Sequence, residues 1–205
     1  MTIAYYYQEI TCLPDLEIGL GFVMGKVMDA VHLALVNISK GGVICPIGIS
    51  FPEYRSAASQ PEGDHEMPPI GSKIRLFGQS EDDLQRLGIS VCLQRFSDYV
   101  HLTSVRPVER RIRNYAIYKR FQPKTSKARL VRRQMKRQGI SEAEAQHQYA
   151  TFQPRYTTLP YLNLHSHSTG QHFRLYIEKC DCDSSTGVWA FSTYGLSSAT
   201  AVPHF

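Results

Sequence analysis

The densest chemistry in the chain lies in LHSHSTGQHFRLYI, Leu164 to Ile177, where three histidines, two serines, a threonine and a phenylalanine surround one glycine. His165, His167 and His172, with Cys180 and Cys182 further on, offer the donor types that bind zinc. The spacing argues against a metal: H-x-H on a strand followed by C-x-C is no structural zinc pattern, and no acid stands close enough in sequence to complete a catalytic site. Ser166, Ser168 and Thr169 supply hydroxyls beside a turn at Gly170, and Phe173 has the ring to stack on a base. Serines around a glycine are also ordinary turn residues, and a strand phenylalanine is ordinarily core.

A second segment carries charge. Between Arg106 and Arg137 stand thirteen Lys or Arg against one acid, Glu109, a balance of +12; the other residues hold ten basic and seventeen acidic side chains, a balance of −7. An acidic body with one concentrated basic segment suits local capture of a polyanion, because a nearly pure-sign run repels itself without a partner. Within it Arg129, Arg132, Arg133, Lys136 and Arg137 recur at i, i+3, i+4, i+7 and i+8, so a helix would project them from one face. Ala128, Val131 and Met135 fall opposite and are expected to pack. Just upstream, Arg120 and Gln122 in KRFQ carry the donor and acceptor sets that read guanine and adenine edges, although two solvated strand residues would look the same.

The elements that must position these groups form an α+β chain. Ile3 to Thr11 reads as a strand, Ile18 to Asn37 as an apolar helix, and Val43 to Phe51 as a buried strand. After a Pro, Gly and Ser-rich loop over Ser56 to Gly71, Lys73 to Gln79 alternates as a strand, and Ser80 with Asp83 opens a short helix. A strand near Tyr99 to Val105 completes a β-α-β-β-α-β order, the ferredoxin-like pattern shared with RNA-recognition motifs. That domain is expected over residues 1–108. A smaller α+β domain over 109–205 would hold the basic helix at 126–138, with Ser126 as N-cap and Gly139 as stop, then a helix opened by Ser141 and Glu144. Strands are expected at Thr158 to His165, Phe173 to Lys179 and Val188 to Tyr194.

With 205 residues, 42% of them hydrophobic, and a mean hydropathy of −0.28, the chain is long enough to bury one core or two small ones. Its first residues lack a secretory signal pattern, and the apolar stretch Ala30 to Val36 is too short to span a bilayer. Five scattered cysteines argue against a disulfide framework. A cytoplasmic protein without membrane partners is expected.

Several segments together resemble one family. STGQHFRLYI (Ser168 to Ile177), STYGLS (Ser192 to Ser197), the terminal VPHF, SKARLVRRQMKRQGISEAEA with the preceding KRFQ, GISFP (Gly48 to Pro52) and GKVMDAVHLALV are similar to the repeat-processing endoribonucleases of type I-F CRISPR systems. These are the precursor guide RNA endonucleases of the Cas six family, subtype F, and the segments follow the family order along the whole chain. The resemblance implies that His32 is the general base, that Ser166 is the catalytic serine, and that Tyr194 stands near the site. It implies RNA contacts for Ser168 and for Phe173, which would stack on a base beside the cut, base reading by Arg120 and Gln122, and groove-facing positions for Arg133, Lys136 and Arg137. Arg129 and Arg132 share their helix face. Lysine at 136 gives up bidentate geometry there.

The implied reaction needs no metal or cofactor: the RNA 2′-hydroxyl attacks the adjacent phosphorus, leaving a cyclic or 3′ phosphate and a 5′-hydroxyl. The implied partners are the CRISPR repeat hairpin, the mature guide RNA that stays bound, and other type I-F guide-complex subunits. Two competing readings are a hairpin-binding subunit that does not cut and a zinc-dependent nuclease or zinc-stabilised RNA binder.

Overall fold

A computed structural model describes residues 5–39, 42, 44–55, 70–108, 112–124, 126–154, 156–185 and 188–205. By packing, the chain divides into two compact units: Met1–Phe121 with Leu159–Phe205, and Gln122–Thr158. The second sheet, assigned from sequence to a separate domain, thus shares the first unit with the ferredoxin-like pattern.

The first sheet contains β1 (Tyr6–Cys12), β2 (Gly48–Ser50), β3 (Lys73–Gly78), β4 (Val100–Leu102) and β5 (Arg106–Pro107). Its order is β2-β3-β1-β4, with β5 also pairing β1, and the pairings are antiparallel. Helix α1 (Leu20–Ile38) joins β1 to β2, while α2 (Glu81–Leu87), α3 (Ile89–Cys92) and a 3-10 turn lie between β3 and β4. This is the strand order that a β-α-β-β-α-β chain gives when each helix crosses over one intervening strand. The Ser80 and Asp83 capping box opens α2 as its sequence predicts. Most of the predicted loop over 56–71, Ile3 and Ala4 of the first predicted strand, and Val43 of the second lie outside the described residues.

The second sheet contains β6 (Asn114–Phe121), β7 (Tyr161–His165), β8 (His172–Cys182) and β9 (Val202–His204), in the antiparallel order β7-β8-β6-β9. The strand expected at Val188 to Tyr194 does not form. Phe191 makes one bridge to Cys45, Trp189 is anchored through its indole N–H to the Pro46 carbonyl, and residues 192–195 close a tight turn instead. Gly195, at φ +67°, makes that turn possible, and a Cβ there would collide with the Ile49 side chain. The edge pairing goes to β9, where Pro203 can sit because an edge strand needs fewer donors.

The core runs between the sheets and α1, with Met24, Met28, Leu35, Ile49, Phe51, Leu76 and Ile177 buried. At 19 residues α1 is long and apolar enough to cross a bilayer by length and composition, contrary to the expectation from sequence. Ten of its residues are buried in the fold, and one of these is the carboxylate Asp29.

The second unit carries α4 (Lys127–Gln138) and α5 (Glu142–Gln148). Ser126 Oγ accepts from the Arg129 N–H at 3.3 Å, Gly139 ends α4 in the left-handed region, and Ser141 with Glu144 forms a capping box on α5. Val131 and Ala145 are buried and Met135 is half-buried. Ala128, expected to pack, is exposed, because the groove it lines with Val131, Glu142 and Gln146 is open to solvent.

Candidate active site

His32 stands half-buried near the middle of α1. Its Nδ1 lies 2.7 Å from the Thr193 carbonyl. A carbonyl can only accept, so Nδ1 carries the proton, and in the neutral ring Nε2 is left with a lone pair. The ring lies flat against Tyr194, with centroids 3.9 Å apart and planes 1° from parallel. One bond and one stacking partner therefore fix both tautomer and orientation, which a base needs if its lone pair is to meet a proton at a set position.

Tyr194 projects from the turn closed by Gly195. Burial pushes its phenol above the ordinary tyrosine range; the Arg120 guanidinium partly offsets this and the Asp29 carboxylate adds to it. The hydroxyl is thus un-ionised at neutral pH, a donor and not a base. Phe173 meets Tyr194 edge-on at 6.5 Å and 83°, while Arg120 on β6 places its guanidinium 5.6 Å from the Phe173 centroid and 5.9 Å from that of Tyr194. His32, Tyr194, Phe173 and Arg120, from four separated stretches of chain, form one connected cluster.

Ser166 and Ser168 form a second group where β7 leaves the sheet. Ser166 accepts two bonds at Oγ, from the Thr169 hydroxyl at 2.8 Å and the Thr169 N–H at 3.3 Å, and its Oγ is 3.2 Å from Ser168 Oγ. With both acceptor positions of Oγ taken by Thr169, the Ser166 proton can go to Ser168 Oγ or to an oxygen brought to the turn, so Ser166 is equipped to donate rather than to attack. The turn is held by the Ser166 N–H to the Gln171 carbonyl and the Gly170 N–H to the Ser166 carbonyl.

The two groups are related through α1 and β7. A Cβ on Gly25 would come within 2.5 Å of the Asn163 carbonyl, so helix and strand pack backbone against backbone there. One turn on, Asp29 Oδ1 receives the His165 N–H in a long 3.4 Å contact. The helix rises about 6 Å over those four residues and the strand advances about 6.6 Å over two, so the elements run side by side in the same direction. A further rise of about 4.5 Å brings α1 to His32, while Ser166 is the first residue after the end of β7. Asp29 and Thr193 are the site residues that the sequence did not reveal: a lone acid in an apolar helix gives no signal, and Thr193 contributes only its carbonyl.

The histidines cluster, with His165 5.7 Å from His167 and 5.0 Å from His172 between ring centroids. Cys180 lies eight residues beyond His172 along β8, roughly 26 Å away, which separates the thiols from the imidazoles. Among the described residues no group of three or more His, Cys, Asp or Glu is placed to hold a metal ion.

In the second unit Arg129, Arg132, Arg133, Lys136 and Arg137 are all exposed, and none forms an ion pair among the described residues. Gln122, at the start of that unit, is exposed.

The family model described as CRISPR-associated protein (Cas_Csy4) matches residues 7–205. A CRISPR-associated endonuclease Cas6/Csy4 of Escherichia coli (strain UTI89 / UPEC) is 32% identical over 200 residues, 98% of this chain and 99% of that one. A protein of the same description from Pseudomonas aeruginosa (strain UCBPP-PA14) is 32% identical over the same shares of both chains. With a family match across nearly its whole length, this chain belongs to the Cas_Csy4 family of CRISPR-associated proteins.

Proposed function

We propose that this protein is an endoribonuclease that binds the CRISPR repeat hairpin and cuts precursor guide RNA, a reading supported by its similarity to proteins named CRISPR-associated endonuclease Cas6/Csy4. The observation that carries the mechanism is the fixed tautomer of His32: with Nδ1–H committed to the Thr193 carbonyl, Nε2 accepts the proton of the RNA 2′-hydroxyl. The deprotonated oxygen attacks the adjacent phosphorus, the bond to the 5′-oxygen of the next nucleotide breaks, and a cyclic phosphate forms with a 5′-hydroxyl after that oxygen takes up a proton. Such base catalysis contributes typically about 10² to 10⁴ in rate. Ser166, backed by Ser168, donates to a ribose or phosphate oxygen and holds it in line; this is positioning, worth rate only through geometry. Phe173 stacks on a base beside the cut and Arg120 draws negative charge to the same place.

The nucleophile belongs to the RNA, so these residues complete the reaction without a metal-activated water. Arg129, Arg132, Arg133, Lys136 and Arg137 of α4 take hairpin phosphates, with Arg133 and Arg137 able to grip them bidentately and Lys136 as a point charge. Arg120 and Gln122 read base edges. With the grip on the hairpin, product stays bound, and the cytoplasmic protein remains on the mature guide RNA beside other type I-F guide-complex subunits.

The test is incubation of repeat hairpin RNA with His32→Ala protein. Loss of cutting with binding kept supports the base; wild-type cutting by the variant rejects it.

A further inference from the structure

Asp29 is the one carboxylate on the buried face of α1, only 8% exposed among Val23, Met24, Val27, Met28 and Val31. Burying a carboxylate is costly unless its charge is used or compensated. Here compensation is incomplete: burial drives its pKa up, and the His165 N–H, Lys26 and the imidazoles of His167 and His165 bring it only part of the way back. The neighbours are informative. His165 and His167 flank Ser166, Lys26 lies one turn before Asp29, and His32 lies one turn after it on the same face. The carboxylate also reaches Tyr194 electrostatically, the ring on which His32 lies. Gly25 against Asn163 sets how close α1 and β7 come, but a backbone approach alone does not set the angle of the chain leaving β7.

We infer that Asp29 is a positioning residue for the cleavage reaction: by accepting the His165 N–H it fixes the Ser166 turn against the helix that carries His32. It touches neither substrate nor reacting atoms. Its effect is confined to the relation between the serine hydroxyl and the imidazole, where a displacement of about 1 Å can cost about 10²-fold in rate. The inference rests on the nuclease reading above.

Asp29→Ala and Asp29→Leu remove the acceptor, while Asp29→Asn keeps an oxygen for the His165 N–H. Both acceptor-free variants lose a desolvation cost, so both fold, and leucine fills the space should alanine leave a void; melting curves verify this. Three quantities are compared with wild type on the repeat hairpin RNA of the same genome: the single-turnover cleavage rate at saturating protein, the Kd for the hairpin with 2′-deoxyribose at the cut, and thermal stability. Asp29→Ala and Asp29→Leu are expected to cut about 10- to 100-fold more slowly with Kd unchanged within about 2-fold, and Asp29→Asn to restore the rate to within about 3-fold of wild type. Undiminished cutting by the folded acceptor-free variants overturns the inference, as does a loss that tracks Kd or an Asp29→Asn variant as slow as Asp29→Ala. If wild type itself leaves the RNA whole, the nuclease reading fails, and that failure is visible without any variant.

Discussion

The imidazole of His32 lies flat on the ring of Tyr194 at 3.9 Å while its Nδ1 is bound to the carbonyl of the preceding residue, Thr193. One turn of chain thus supplies both constraints on the ring. Those constraints separate two roles for Tyr194, a surface and a hydroxyl, and substitutions can tell them apart. Tyr194→Phe keeps the stacked ring and is expected to cut within about 3-fold of wild type. Tyr194→Ala removes the surface and is expected to slow cutting by about 10-fold or more, since a base held off its line loses much of its advantage. Single-turnover rates decide it; equal losses in the two variants would move the weight to the hydroxyl.

Asp29 makes stability depend on pH with a definite sign. Burial holds its folded pKa above the unfolded one, so the protein gains from a protonated Asp29 at low pH and loses that gain as pH rises through the folded pKa. Asp29→Asn removes the cost. The variant is expected to melt above wild type at neutral pH, with the gap closing as pH falls through the raised folded pKa and absent below the ordinary carboxylate value, about pH 3.9. Melting temperatures across the acidic and neutral range measure it, and a wild type more stable than Asp29→Asn at pH 7 contradicts it.

The exposed cations of α4 predict the salt dependence of RNA binding. If five of them meet phosphates, log K falls with log salt at a slope of roughly −4, and Arg133→Ala shallows it by about 1. Filter binding over a salt series with an uncleavable hairpin gives both slopes. A slope near zero removes α4 from the grip.

Much of this arrangement was legible because it is local. Ser126, Ser80 and Ser141 announce their helices through caps formed within three residues, and Gly139 ends α4 at the left-handed position glycine favours. The β-α-β-β-α-β order of the first sheet follows from alternation and turn residues. What escaped is decided by distant contacts. Val188 to Tyr194 has strand composition, yet its backbone is committed to the turn that Gly195 makes against Ile49. Pro203 hides β9, because proline marks a strand interior as improbable and an edge as permitted. His32 emerged only through resemblance to a family, since a histidine in an apolar helix is ordinarily packing; its stack on Tyr194 and bond to Thr193 are 162 and 161 residues away in sequence. Asp29 had no local signature at all.

Metal-free attack by the 2′-hydroxyl is tested by cleavage of repeat hairpin RNA in excess chelator, beside the same RNA carrying a single 2′-deoxyribose at the cut. The expected result is that the all-ribose strand is cut, leaving a cyclic or 3′ phosphate and a 5′-hydroxyl, while the deoxy strand binds and stays whole. Cutting of the deoxy strand, or arrest of the ribose strand by chelator, would contradict it.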